Sequence, residues 1–298
     1  TKSCSFYNRI KREPNLDNYK EKCNTLRNNI INNNENILKF NRRSISYTMA
    51  DKSKNNNMID MTKFNNILHI DFINQEILVE PGVTMEKLFN ETSKYNMVPL
   101  ILPEFKFLTV GGLIQGTGLE SSSFKYGQFN DVCSELHFVS EYTDDIIIAK
   151  KDNAYSDLYN GVSGSLGGLA ILTAAKIKLR TISKYITLTY YKYTNLEEGL
   201  QKLESFYGDD IDFLESIVYS KIKMVIITGK SDVLKSNLNL TSMSSWNSEW
   251  YYEHVDNVTN NEIYYQDQFT RNDYVFRYDN GAFWMGKYAT IKGYNIGK

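Results

Sequence analysis

The sequence predicts an α+β fold in two domains, and three observations carry that prediction. Two pairs of short β-rich runs, at 67–80 and around 143–145, read as hairpins. The G-x-G of Gly116 and Gly118 has Ser121 where a dinucleotide fingerprint needs its third glycine, so a Rossmann unit fails. Near residue 182 the texture changes to a fresh strand–helix–strand series, which divides the chain into 1–182 and 183–298. At 298 residues there is length for two sizeable cores.

Taken in order, residues 1–36 form an N-terminal helical segment. Its stripe of Leu16, Tyr19, Cys23, Leu26 and Ile30 has helical spacing. "ILKFNRRSISYTMADKS" (37–53) reads as a short strand running into a polar loop. In "NNILHIDFINQEILVEPGVTMEKLFNETSKYN" (65–96), runs at 67–72 and 77–80 flank a turn at Asn74 and Gln75. Thr84 then caps a helix over 85–95 that puts Met85, Leu88, Phe89 and Thr92 on one face. "ELHFVS" and "DIIIAK" make the second hairpin, and "YSDLYNGVSGSLGGLAILTAAKIKLR" (155–180) joins a glycine cluster to a long apolar strand. The acidic stretch 202–216 and the basic stretch 220–235 read as solvated faces flanking buried strands, without metal-like spacing.

Composition narrows the function. Hydrophobic content of 42% and charged content of 23% belong to an ordinary globular chain. A net charge of −1 argues against nucleic acid as a partner. Cys4, Cys23 and Cys133 are far apart and odd in number, which points away from a disulfide scaffold or metal site and towards a reducing compartment. No apolar run reaches the roughly 20 residues that span a bilayer. Asn90, Asn239 and Asn257 open Asn-x-Ser/Thr triplets, read as chance in an asparagine-rich chain.

The chemistry concentrates in "LTVGGLIQGTGLESSSFKYGQFND" (108–131). Gly111 and Gly112 remove side chains that would keep a ligand off the backbone, and successive amides there can form a nest for pyrophosphate. Ser121, Ser122 and Ser123 add hydroxyls, Lys125 a cation, and Tyr126 before Gly127 a ring for a flat ligand. A structureless loop of this length in a compact domain is usually functional. The residues therefore point to a large phosphorylated ligand without naming it.

Three ordered segments, "ILVEPGVTMEKL", "LPEFKFLTVGGLIQGTGLESSSFKYGQFNDV" and "SDLYNGVSGSLGGLAILTAAKIKL", resemble those of the Δ24-sterol reductases (the DIMINUTO/seladin group) within the vanillyl-alcohol-oxidase-type flavoproteins. The resemblance covers residues 37–182 closely and 183–290 loosely. It implies a PCMH-type FAD-binding domain of two α+β subdomains over 1–182. An α+β cap or substrate domain then follows over 183–298, which reads as incomplete. Ser44, Ser46, Tyr47 and Thr48 in the first loop, with Gly111 and Gly112, would flank the pyrophosphate. Gly116, Thr117, Gly118, Glu120, Ser121, Ser122, Ser123, Lys125, Tyr126 and Gly127 would run along ribityl and isoalloxazine. Gly164, Gly167 and Gly168 would close the adenine and pyrophosphate side.

The first loop holds no histidine, and Cys133 falls in a strand, so non-covalent FAD is expected. His69 and His137 read as structural. Towards the C-terminus, Arg277, Tyr278 and Asp279 alternate with Phe276 and the Phe283–Trp284 pair. That pattern is either a strand face lining a substrate cavity, with Tyr278 as proton donor and Arg277 beside it, or cap aromatics packing a core. The implied activity is an FAD-linked oxidoreductase that reduces a C=C bond of a sterol-like substrate, with NADPH as donor and hydride passing through flavin N5. An FAD-dependent oxidase or dehydrogenase of an alcohol or sugar is the second reading, and a shortened member with a structural or packaging role the third. The expected setting is cytoplasmic or membrane-peripheral, with attachment only through a segment upstream of Thr1.

Overall fold

The computed structural model describes residues 16–33, 40–41, 58–208, 210–243, 248–281 and 283. The chain divides into two compact units. One comprises Thr1–Leu100, Phe107–Gly118 and Gln128–Arg180; the other comprises Ile101–Lys106, Leu119–Gly127 and Thr181–Lys298.

In the first unit, β1 (Phe40–Asn41) and β2 (Ile59–Asp60) form a small parallel pair. The main sheet contains β3 (Ile67–Asp71), β4 (Glu76–Val79), β5 (Met97–Pro99), β6 (Cys133–Val139), β7 (Ile147–Ala149) and β8 (Ile171–Thr181). Its order is β3-β4-β8-β6-β7, with β5 also pairing β8. The long apolar run of β8 follows from this position: Ala174, Ala175 and Ile177 are wholly buried. The first hairpin turns at Gln75, whose left-handed φ of 53° is the geometry a tight β3–β4 connection needs.

Helix Asp17–Ile31 buries Tyr19, Cys23, Leu26 and Ile30 against Leu78, Val139 and Ala174. Helix Met85–Thr92 starts where Thr84 Oγ1 accepts the Lys87 N–H, and it buries Met85, Leu88, Phe89 and Thr92 as its spacing predicts. A 3₁₀ turn over Ser93–Tyr95 follows directly.

The second unit carries an antiparallel sheet of β9 (Tyr185–Tyr193), β10 (Phe213–Ser220), β11 (Lys223–Asp232) and β13 (Tyr264–Thr270), edged by the short β12 (Leu240–Thr241) parallel to β13. The order is β10-β11-β9-β13-β12. Central β9 buries Ile186, Leu188 and Tyr190 completely. Helix Leu196–Ser205 is capped by the Asn195 side chain, which accepts from the Glu197 and Glu198 N–H groups.

Two sequence expectations need correction. The strand expected through 276–284 is not formed over 276–281: helix Arg271–Val275 runs into turns there. Thr270 is the reason. Its hydroxyl accepts the Asp273 N–H at 3.2 Å and donates to Asp273 Oδ2 at 2.6 Å, which nucleates a helical turn before any strand alternation begins. The glycine-rich stretch from 108 is likewise not structureless, since it contains helix Val110–Gln115 and the helical turn Ser123–Tyr126.

Candidate functional site

The first glycine segment is built against the turn after β4. Met85 N–H donates to Leu108 O at 2.8 Å and Val110 N–H to Val83 O at 3.0 Å, so residues 83–85 and 108–110 run side by side. Thr109 is extended and caps helix Val110–Gln115: its Oγ1 accepts the Gly112 N–H at 3.3 Å and its carbonyl the Leu113 N–H at 3.0 Å. Gly111 N–H donates to Pro81 O at 2.9 Å. All four amides that open this helix therefore end on protein acceptors.

This corrects the nest expected at Gly111 and Gly112, whose N–H groups are already spent. Gly111 is needed for another reason. A Cβ there would lie 2.7 Å from Pro81 Cβ, so the glycine makes room for the chain itself. Gly116 caps the helix C-terminus, so the G-x-G follows a helix and does not open one. A Cβ on Gly118 would likewise meet Leu113 Cδ2 at 2.5 Å.

The second glycine segment rests on the end of the first. Leu166 N–H donates to Gln115 O at 3.1 Å. A Cβ on Gly164 would stand 3.6 Å from Thr117 Cγ2, and one on Gly167 would stand 3.6 Å from Gln115 Oε1. Four residues here hold left-handed backbone: Thr117 (φ 55°), Gly164 (74°), Leu166 (52°) and Gly167 (88°). Two of these are not glycine, and such strain persists where surrounding structure holds it, often at functional sites.

Two buried side-chain atoms beside these turns, Gln115 Oε1 and Ser165 Oγ, have no hydrogen-bond partner among the described residues. A shielded acceptor and a shielded hydroxyl left unpaired are costly unless a ligand or an ordered water supplies the missing groups. Gly112, Gly116, Gly164, Gly167 and Gly168 are exposed, as are Leu166 at 68% and Leu169 at 53%. The chemistry of this set suits an extended, hydroxyl- and phosphate-bearing cofactor such as FAD, which would offer donors to Gln115, pair with Ser165 and cover the glycine-lined apolar rim.

Ser44, Ser46, Tyr47 and Thr48 lie outside the described residues. Glu120 to Gly127 belong to the second unit. There the serines expected to be ligand donors are engaged by protein: the Ser121 hydroxyl donates to Glu120 Oε2 at 2.7 Å, Ser122 also donates to Glu120, and Ser123 Oγ accepts the Glu120 N–H at 3.0 Å. Lys125 is exposed, Tyr126 is half-buried, and Gly127 turns the chain at φ 81°.

The second unit has its own polar centre. Arg277, only 1% exposed, donates through Nε to Glu215 Oε1 and through Nη2 to Glu215 Oε2, both at 3.1 Å. Nη2 also reaches Glu104 Oε1 and Ser121 Oγ, each at 3.3 Å, while Nη1 donates to Tyr274 O at 3.0 Å. The guanidinium lies over the ring of Tyr274, 4.2 Å from its centroid. Tyr278 and Tyr251 donate their hydroxyls to Glu215 at 3.1 and 3.0 Å.

Burial pushes the Glu104 carboxyl up to about 7; Arg277 opposes that shift, and Glu120 and Glu215 add to it. Burial, and then Glu215, hold the Tyr278 proton well above the usual phenol range. Sequence reasoning missed Glu104 and Glu215. Glu215 sits in a stretch read as a solvated acidic face, yet on β10 it shares the inward face with Phe213, two residues away. That period-two relation was the available signal.

Residues 34–146 match the family described as FAD binding domain. The chain is 32% identical to the Delta(24)-sterol reductase of Pisum sativum over 244 residues, covering 77% of this chain and 43% of that protein. It is 30% identical to a Delta(24)-sterol reductase homologue of Caenorhabditis elegans over 265 residues (85% and 50%) and 31% identical to the Homo sapiens Delta(24)-sterol reductase over 234 residues (78% and 44%). Residues 34–146 thus belong to the PCMH-type FAD-binding superfamily.

The chain spans about half the length of the curated relatives it matches. In this FAD-binding chain the matched segment ends before the second glycine turn, which the Leu166–Gln115 hydrogen bond nevertheless holds against it. Among the described residues, no helix is long and apolar enough to cross a membrane.

Proposed function

We propose that the chain binds FAD non-covalently and serves an FAD-dependent oxidoreductase that reduces a C=C bond of a hydrophobic, sterol-like molecule, with NADPH as electron donor. The observation that carries the FAD reading is the pair of buried atoms without a partner among the described residues, Gln115 Oε1 and Ser165 Oγ, beside the left-handed residues Thr117, Gly164, Leu166 and Gly167. The sterol-like substrate and the reductive direction rest on the likeness to Delta(24)-sterol reductases. When bound, the flavin supplies hydride chemistry at N5.

The described residues favour a non-covalent cofactor. Cys133 Sγ is buried and reaches Phe129 O at 3.4 Å, and burial pushes its thiol far up, away from the reactive thiolate. His137 lies between Tyr19 and Glu135, and His254 is 2.8 Å from the buried Asp267. Arg277 and Tyr278 support the substrate side through Glu215: both are buried and both are committed to that carboxylate. We therefore assign them a holding role, with the proton to the substrate coming from another group.

The test is spectral. Purified chain supplemented with FAD should retain an absorbance band at about 450 nm and release all its flavin on acid precipitation. No retained flavin would remove the reading at its base. Under anaerobic conditions NADPH should bleach the band and a sterol with a side-chain double bond should restore it. Reoxidation of the photoreduced flavin by air, with no bleaching of the oxidised flavin by NADPH, would favour an oxidase.

A further inference from the structure

The second unit includes two short pieces that flank the first glycine segment, Ile101–Lys106 and Leu119–Gly127, while the residues between them, Phe107–Gly118, belong to the first unit. Both pieces are tied down by residues far along the chain. Lys106 N–H donates to Asp279 Oδ1 at 3.0 Å, and its ammonium lies 3.3 Å from Asp279 Oδ2. Phe105 meets Phe283 edge-on at 5.2 Å. Leu214 N–H donates to Ser121 O at 2.8 Å, Ser121 Oγ pairs with Tyr274 OH at 2.9 Å, and Phe124 stacks on Tyr207. One guanidinium nitrogen, Arg277 Nη2, joins both pieces at once, through Glu104 in the first and Ser121 in the second.

We propose that Arg277 is a positioning residue that clamps residues 101–106 and 119–127 together within the second unit and thereby fixes both ends of segment 107–118. The clamp acts on that segment through the covalent chain. It gives the Arg277–Tyr278–Asp279 run a task that needs no contact with substrate. That segment 107–118 serves a cofactor rests on the FAD reading above; the clamp does not.

Glu104 makes the clamp responsive to pH. It faces Arg277, Glu120 and Glu215, and Arg277 is faced in turn by Tyr274, Tyr251 and Tyr278. The folded chain raises the Glu104 carboxyl from 4.5 to about 7, so the native arrangement prefers it protonated. Its contribution is full below 4.5 and is lost as the pH climbs through about 7.

The experiment is amide hydrogen exchange on the full 298-residue chain without FAD, comparing the unsubstituted protein, Arg277→Lys and Glu104→Gln. Arg277→Lys loses the forked hold on Glu215 and the shared reach of Nη2. It should speed exchange about tenfold or more in 101–106, 107–118 and 119–127 and leave β8 protected. In the unsubstituted chain, exchange of 107–118, corrected for its intrinsic pH dependence, should rise between pH 5 and 8, and Glu104→Gln should flatten that rise.

Acceleration confined to 101–106 and 119–127 overturns the proposal, as does uniform acceleration including β8, or a pH step that survives in Glu104→Gln. Should Arg277→Lys fail to fold, the pH comparison with Glu104→Gln decides. FAD titration of the same proteins separates the two readings. The expected exchange pattern without FAD uptake leaves the clamp standing and removes the cofactor, while FAD uptake without the pattern does the reverse.

Discussion

The two glycine segments of the first unit look alike in sequence and do different things. In the first, Gly111 lies against Pro81 and Gly118 against Leu113, and the amides of Gly111 and Gly112 are used by Pro81 and Thr109. In the second, Gly164 and Gly167 hold left-handed backbone, are exposed, and border two buried polar atoms that none of the described residues satisfies. The first set makes room for the chain itself, and the second is where we propose that the cofactor lies. A glycine in a sequence does not say which, because removing a Cβ looks the same whatever the approaching atom is.

The largest expected effect breaks or keeps this distinction at Gly111. Its new Cβ in Gly111→Ala would meet a proline ring that cannot swing away, so urea unfolding should show a loss of about 1–3 kcal/mol. A chain that keeps its stability and instead loses FAD would place Gly111 on the ligand side. Next comes Gly167→Ala, at φ 88°, where a left-handed L-residue costs about 1–2 kcal/mol. Here FAD affinity should fall along with stability, read by fluorescence titration of the flavin. Unchanged affinity would mean that the second turn is not a cofactor surface.

Ser165→Ala sharpens the comparison with a change of opposite signs. Removing an unsatisfied buried hydroxyl should raise the stability of the FAD-free chain by about 1 kcal/mol and weaken FAD by about fivefold. Thermal melts with and without FAD read both at once. If both fall together, Ser165 has a structural partner and the orphan-atom reasoning is wrong.

What the sequence made legible was local. The stripe of Tyr19, Cys23, Leu26 and Ile30, the Thr84 cap, the turn at Gln75 and the apolar run of β8 are each decided by neighbours a few residues away, and each formed where spacing and turn chemistry put it. The charged centre of the second unit was not legible. Arg277 reaches Glu215 across 62 positions and Glu104 across 173, and no periodicity connects them. Glu104 stands between Pro103 and Phe105, and nothing in its neighbours marks it. Only the fold makes it a buried partner of an arginine.

The smallest effect on stability is expected at Gly112, and it is the most informative about the first segment. Gly112 is the exposed glycine in the opening turn of helix Val110–Gln115, and a Cβ there would touch only Thr109 Oγ1, at 3.2 Å. Alanine improves helix propensity by up to about 1 kcal/mol, and crowding of the Thr109 cap opposes it, so Gly112→Ala should unfold within about 0.5 kcal/mol of the unsubstituted chain. With stability unchanged, any loss of FAD affinity belongs to the surface itself. The exposed, side-chain-free backbone predicts such a loss, about tenfold, because a ligand that uses the adjoining Gln115 and Ser165 would have to pass over it. If the affinity holds, the first segment serves the cofactor only by carrying Gln115 and Thr117 to the second turn, and its glycines are wholly a matter of how the chain packs on Pro81 and Leu113.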